Sequence, residues 1–325
     1  MRISFKVFSV AQALLSRNDQ GSGAFTALRG LKRTLRYLVL VAVAICSFEM
    51  ATFNLMGAHA WSANTGWIAF VHDRPSPADG VVFGGAFLSG FAYSGNVGWI
   101  HFGDGMPANG HTYANDGSDH GVNHDGSGNL SGLAWSANAG WINFGWAAAD
   151  DPFRPRVDFL TGAFSGFAWG ANIGWINLGT GMLATEAMVD VDVDTDGLAD
   201  WWERLHFGDL AGASESSDFD RDTVPDLAEY LAGTDPTDAT KSWRVAHIAH
   251  RLGTSETTLE FSSTPSRLYR IEYSSDLGAQ DPWTDSSLGT FAPDPGNTTV
   301  RTFSHPRSAA RFFRIVSVIP LRENP

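Results

Sequence analysis

Cysteine is nearly absent. The 325 residues include one, Cys46, which excludes a disulfide framework and any multi-cysteine zinc site. Basic charge is scarce as well. Lys and Arg number 22 against 35 Asp and Glu, a net charge of −13, and a chain without a basic stripe cannot replace the counterions of a nucleic acid. Long hydrophobic runs are missing too: the apolar stretch 37–48 falls short of the ~20 residues a spanning helix needs. No HExxH, GxSxG or P-loop pattern occurs, and carboxylates such as Asp150 and Asp151 cannot be read as a glycosidase pair, because the required separation is spatial. The chain is therefore expected not to be an enzyme. What is abundant is glycine (35) and tryptophan (12), and 43% hydrophobic residues suffice for a folded core of two or three domains.

Charge is distributed unevenly. Residues 1–60 hold seven basic and two acidic side chains, whereas residues 190–240 hold fifteen acidic against two basic, a net −13 within 51 positions. So many carboxylates repel one another unless a cation sits among them. In the N-terminal segment, Lys32, Arg33 and Arg36 precede the apolar run, and Ala58-His59-Ala60 follows as a small-x-small site. That is the layout of a secretory signal peptide over 1–60, with an uncleaved N-terminal anchor as the alternative. The expected location is secreted, extracellular or cell-surface, with no membrane span after cleavage.

Residues 61–185 carry one motif four times: Trp61-Ser-Ala-Asn-Thr-Gly-Trp-Ile-Ala-Phe70, Tyr93-Ser-Gly-Asn-Val-Gly-Trp-Ile-His-Phe102, Trp135-Ser-Ala-Asn-Ala-Gly-Trp-Ile-Asn-Phe144 and Trp169-Gly-Ala-Asn-Ile-Gly-Trp-Ile-Asn-Leu178. The recurrence implies a repeat architecture. Alternation on both sides of Asn-x-Gly predicts a β-hairpin with the Gly in a left-handed turn. A third strand is expected before the later hairpins, at 80–83, 121–124 and 156–159. Ile68, Ile100, Ile142 and Ile176 should face the core with the Phe or Leu two residues on. Trp67, Trp99, Trp141 and Trp175 are expected to pack between successive repeats as core, the alternative being exposed faces for sugar rings. Propeller, barrel and open stack all remain open. The motif resembles the Trp-rich AWSxNxGWIxF repeats of secreted bacterial proteins, which implies no particular activity. His120 and His124, four apart among Asp116, Asp119 and Asp125, have zinc-compatible spacing only on a helix; the surrounding glycines favour a solvated loop.

The acidic segment has internal order. Asp192, Asp194, Asp196, the Leu198 carbonyl, Asp200 and Glu203 occupy positions 1, 3, 5, 7, 9 and 12 of a calcium loop, with Gly197 at the sharp turn. The pattern returns with Asp218, Asp220, Asp222, the Val224 carbonyl, Asp226 and Glu229, with Thr223 in the turn position. A β-branched residue held left-handed there would cost roughly 1–2 kcal/mol. Each loop runs into a short helix, ending at Gly208 and at Gly233. Too few residues precede Asp192 for the entering helix of an EF-hand. The stretch, including Asp235 and Asp238, resembles bacterial thrombospondin type 3 repeats, which implies a Ca2+-ordered linker between extracellular domains over 186–241.

Six β-rich runs between 243 and 319, separated by turns, predict a C-terminal β-sandwich over 242–320. It resembles a truncated fibronectin type III module without an evident last strand. Arg270, Arg301 and Arg314 are expected on exposed strand faces. The whole reads as a mainly β chain: a Trp-rich β-hairpin repeat domain, a short calcium-loop/helix linker and a β-sandwich. The expected function is that of a calcium-binding structural or adhesion-type protein whose partner is extracellular matrix, polysaccharide or another surface. The alternative is a carbohydrate-binding protein using the repeat Trp faces.

Overall fold

The computed structural model describes residues 58–71, 80–251, 254–306 and 310–321. The basic cluster and apolar run of the expected export signal lie outside them. Ala58 and Ala60, at the expected cleavage site, are buried, and β1 (His59–Ser62) begins between them. A cut after Ala60 would thus fall within a strand.

Each motif copy forms an antiparallel hairpin. The four hairpins are β1 with β2 (Gly66–Ala69), β4 (Leu88–Ser94) with β5 (Gly98–Gly103), β7 (Leu130–Ser136) with β8 (Gly140–Asn143), and β11 (Phe167–Gly170) with β12 (Gly174–Asn177). The strands join edge to edge in chain order, and two contacts, Trp61 opposite Asn177 and Ala69 opposite Tyr93, complete the ring. The product is a closed, up-and-down, eight-stranded antiparallel barrel, which removes the edges a repeat array would otherwise expose.

Register decides what fills the barrel. Ala60, Ala92, Ala134 and Ala168 lie directly opposite Ile68, Ile100, Ile142 and Ile176. All eight point inward, as do Phe70, Phe102, Phe144 and Leu178. One small and one large residue per hairpin suits the narrow interior of an eight-stranded barrel, and the void left among the Ile and Phe/Leu side chains is about 10 Å3. The tryptophans neighbour the isoleucines in sequence and therefore face the other way. Trp67, Trp99, Trp141 and Trp175 are 42–49% exposed, which corrects their expected place in the core. The repeats meet by strand pairing around a ring rather than by stacking face to face, so no layer between repeats exists for an indole to fill.

The third strands form as expected. β3 (Val81–Phe83) and β6 (Val122–His124) pair with the leading halves of β4 and β7, and β9 (Arg156–Val157) with β10 (Phe164–Ser165). Gly90, Gly132 and Gly166 sit at φ +85°, +87° and +80°, where the chain bends out of the barrel wall. A Cβ there would collide with the carbonyl of Gly80, Gly121 or Arg154. These outer strands cap the barrel, contributing Val81, Phe83, Val122 and Val157 to the same core.

At the opposite end the hairpin tips lock together. Asn96 Nδ2 donates to Thr65 O (3.0 Å), Asn138 Nδ2 to Val97 O (3.1 Å), Asn172 Nδ2 to Ala139 O (3.1 Å), and Asn64 Nδ2 to Ile173 O (3.1 Å). Each repeat thus holds the one before it, and the first holds the fourth. Ser62, Ser94 and Ser136 reinforce three of these contacts, and Gly170 stands at the fourth Ser position. The carbonyl-bearing residues Thr65, Val97, Ala139 and Ile173 are buried and close this end.

After the barrel come two short helices, α1 (Asp200–His206) and α2 (Asp226–Ala232), around a small core of Leu198, Ala199, Trp202, Tyr230 and Ile319. Two three-stranded sheets follow. One orders β13 (Val245–His250), β14 (Glu256–Ser262) and β17 (Thr298–Ser304); the other orders β16 (Thr284–Asp285), β15 (Leu268–Ser274) and β18 (Phe312–Val318). They share a core of Leu259, Phe261 and Phe303 from the first and Tyr269, Ile271 and Ile315 from the second.

Candidate metal centre and aromatic belt

The two acidic loops have matching backbones. Thr195 and Arg221 both lie near φ +63°, and Gly197 (φ +93°) is matched by Thr223 (φ +80°). The side-chain hydrogen bonds match as well. Asp192 Oδ2 accepts from Gly197 N and Asp218 Oδ2 from Thr223 N. Asp196 Oδ1 accepts from Leu198 N and Asp222 Oδ1 from Val224 N. Asp200 Oδ1 accepts from Val193 N and Asp226 Oδ1 from Phe219 N. Thr223 therefore adopts the strained turn that glycine takes in the first loop.

Each loop curls its carboxylates inward. Oxygens of Asp192, Asp194 and Asp200, of Asp194, Asp196 and Glu203, and of Asp218, Asp220 and Asp222 lie within 4.8 Å of one another in each set. Glu203 and Glu229, one turn into the helices, are 0% and 1% exposed. Both carboxylate oxygens of Glu203 lack a hydrogen-bond partner, as do Asp196 Oδ2, Asp218 Oδ1, Asp220 Oδ2 and Glu229 Oε2. Burial, with the charge of Asp196 and Asp194 beside it, pushes Glu203 up to about 7; burial, with Asp220 and Asp222 nearby, does the same to Glu229. Asp194 and Asp220 are also raised, by desolvation and then by neighbouring carboxylates. Buried, unpaired, mutually repelling carboxylates are costly unless a cation compensates them. An all-oxygen donor set suits a hard cation of the calcium type.

Among the residues named from sequence, Asp194, Asp196, Glu203, Asp218 and Asp220 converge most clearly. Asp192 and Asp222 join them while also holding the loop backbone. Asp200 and Asp226 are buried at the helix starts and tie back the loop entrances; Asp200 also meets Arg204 at 3.5 Å. The Leu198 side chain is buried in the linker core. Asp235 and Asp238 serve differently: Lys241 bridges them at 3.1 and 3.3 Å, and His206 lies 3.5 Å from Asp235. Asp190, counted from sequence only as charge, accepts from Gly85 N (2.8 Å) and Trp201 Nε1 (3.0 Å), joining a barrel loop to α1. Only the fold brings Gly85 and Trp201 together, so no sequence signal marked it. Arg267 donates to the carbonyls of Tyr230 and Leu231 at the end of α2.

The chain matches no protein-family model, no curated protein and no solved structure.

The outer face of the barrel carries the second candidate. Trp61 and Trp67, Tyr93 and Trp99, Trp135 and Trp141, and Trp169 and Trp175 are direct cross-strand neighbours. Their ring centroids lie 4.6–5.0 Å apart in tilted or edge-to-face contact, and all eight are 38–49% exposed. His120 and His124 diverge. His124 is buried, stacks on Phe83 and contacts Gly84 O at 2.7 Å, whereas His120 reaches the belt, with Nε2 3.3 Å from His101 Nδ1. Burial, and then the nearby His120, lower the His101 pKa from its usual value. In the C-terminal sheets, Arg270 and Arg314 both grip the buried Glu272, and Arg301 pairs with Asp294.

Proposed function

We propose that this is a non-catalytic, calcium-binding protein of the cell exterior, in which two ion-ordered loops join an aromatic-belted barrel to a fibronectin type III-like β-sandwich and serve adhesion to matrix, polysaccharide or another surface. The observation that carries the calcium reading is the pair of buried carboxylates, Glu203 with neither oxygen hydrogen-bonded and Glu229 with Oε2 unbonded while Oε1 accepts from Thr234 Oγ1, at matching positions of two loops of matching geometry. The ligands of the first site are Asp192, Asp194, Asp196, the Leu198 carbonyl, Asp200 and Glu203. Those of the second are Asp218, Asp220, Asp222, the Val224 carbonyl, Asp226 and Glu229. Two ions neutralise part of the segment's charge and fix loops that repulsion would otherwise open. Extracellular modules of this type bind calcium at about 0.1–1 mM. Calorimetric titration of chelator-treated protein should find two sites. Asp194→Ala with Glu203→Ala should abolish one, and Asp220→Ala with Glu229→Ala the other. Absence of calcium heat in the unaltered chain would refute the reading.

A second reading is supported by the belt itself: this is a carbohydrate-binding protein whose eight exposed belt aromatics receive sugar rings. A pyranose offers a C–H-rich face to the electron-rich face of an indole, while Trp N–H and Tyr O–H groups serve hydroxyls at the rim. A glycan array probed with and without calcium tests it.

A further inference from the structure

The belt is not equivalent around its circumference. Across repeats two and three the rings form an unbroken series. Tyr93 contacts Trp99 (5.0 Å), Trp99 contacts Phe91 (6.1 Å), and Phe91 stacks on His101 (4.7 Å). His101 meets His120 (5.3 Å), His120 meets Trp141 (5.0 Å), and Trp141 meets Trp135 (4.6 Å). His120 arrives on the longest segment between motif copies and spans the gap between two aromatic pairs. Phe91, Tyr93, Trp99, Trp135 and Trp141 are each more than a third exposed.

Two features narrow the occupant. From Gly80 to Phe153 there is no Lys or Arg, against six Asp, so the segment that carries the strip is itself acidic and disfavours polyanions; Arg154 approaches it at Leu130 O and Ala147 O. The exposed large apolar side chains over the same span are aromatic, Met106 excepted. A protein-docking patch would be expected to set arginine among its aromatics, and this segment contributes none. Flat rings with polar edges instead complement a flat partner with apolar faces and polar rims.

We propose that this strip, Phe91–Tyr93–Trp99 joined to Trp135–Trp141 through His101 and His120, is the binding platform for an extended, uncharged polysaccharide chain. The inference rests on the carbohydrate reading of the belt and assigns it a place and a ligand class. Neighbouring strands stand about 4.8 Å apart, so a strip running from β4 to β8 crosses about 14 Å. That is room for several sugar units of one chain rather than for a single ring.

The test uses the full chain in millimolar calcium, titrated calorimetrically with hexasaccharides of β-1,4-linked glucose and of β-1,4-linked N-acetylglucosamine, the matching disaccharides, and heparin as a polyanion. Binding of a neutral hexasaccharide in preference to its disaccharide is expected. Trp99→Ala with Trp141→Ala should weaken it by about tenfold or more, with an unchanged far-ultraviolet dichroism spectrum. Trp67→Ala with Trp175→Ala, in the belt but outside the strip, should weaken it by less than the strip pair does. If the second pair of substitutions abolishes binding and the first does not, the belt binds sugar elsewhere and the strip assignment is overturned alone. If only heparin binds, the ligand class is wrong. If no glycan binds the unaltered chain, here or on an array, the carbohydrate reading falls and this inference with it.

Discussion

Thr223 and Gly197 perform the same turn at different cost. A β-branched side chain at φ +80° is strained by roughly 1–2 kcal/mol. Thr223→Gly should therefore stabilise the second loop by about 1 kcal/mol, less the entropy that glycine returns to the unfolded chain, and tighten the weaker of two calcium isotherms. Glu203 and Glu229 carry a pH signature of the metal-free protein. Their folded-state pKa of about 7 lies above the ordinary 4.5, so between those values the native state holds more protons than the unfolded chain. Stability from these groups is thus fully present below pH 4.5 and lost as pH rises through 7. Melting in chelator should accordingly fall from about pH 5 to pH 7. Saturating calcium, which binds the ionised forms, should flatten that fall, and Glu203→Gln with Glu229→Gln should remove it in chelator.

The hairpin is the unit that turns a ten-residue motif into a barrel. Its Asn works beyond its own turn: it donates to the preceding repeat, and around the ring this makes four stitches. Asn138→Ala removes one donor and leaves Val97 O with only the long Ser136 contact (3.3 Å). A loss of about 1 kcal/mol in denaturant unfolding is expected, and Asn172→Ala should cost more, because Gly170 supplies no Ser contact to the Ala139 carbonyl that it leaves. Gly132→Ala should cost more, about 2–3 kcal/mol, because the left-handed backbone and the Gly121 carbonyl both oppose a Cβ. Equal unfolding midpoints for Gly132→Ala and the unaltered chain would show that the bend out of the barrel wall tolerates side chains.

In the whole molecule the loops lie between two cores. Asp190 ties α1 to the barrel, and Arg267 ties α2 to the C-terminal sheets. Calcium that binds only the folded loops should stabilise them by about 2.7 kcal/mol at 100 times its dissociation constant. Chelation should therefore expose 190–240 to protease before either flanking core is cut; simultaneous digestion of all three would argue that the loops are ordered without an ion.

Local chemistry determined a good deal from the sequence alone. Period-2 alternation around Asn-x-Gly specified the hairpins, the inward isoleucines and the left-handed glycines, because those depend on neighbours a few residues apart. The same short-range spacing brings oxygens of Asp194, Asp196 and Glu203, and of Asp218, Asp220 and Asp222, within 4.8 Å of one another, while Glu229 falls in none of the convergent sets. Long-range register was not legible. Whether Ala69 would meet Tyr93 and Asn177 meet Trp61 depends on strands far apart in the chain, and that closure decided the rest. A ring of paired strands leaves no layer between repeats, so the tryptophans, on the opposite face from the inward isoleucines, stand on its outer surface. The same closure set His120 between Trp141 and His101, and the docking of α1 set Asp190 against Gly85, contacts that no local pattern encodes.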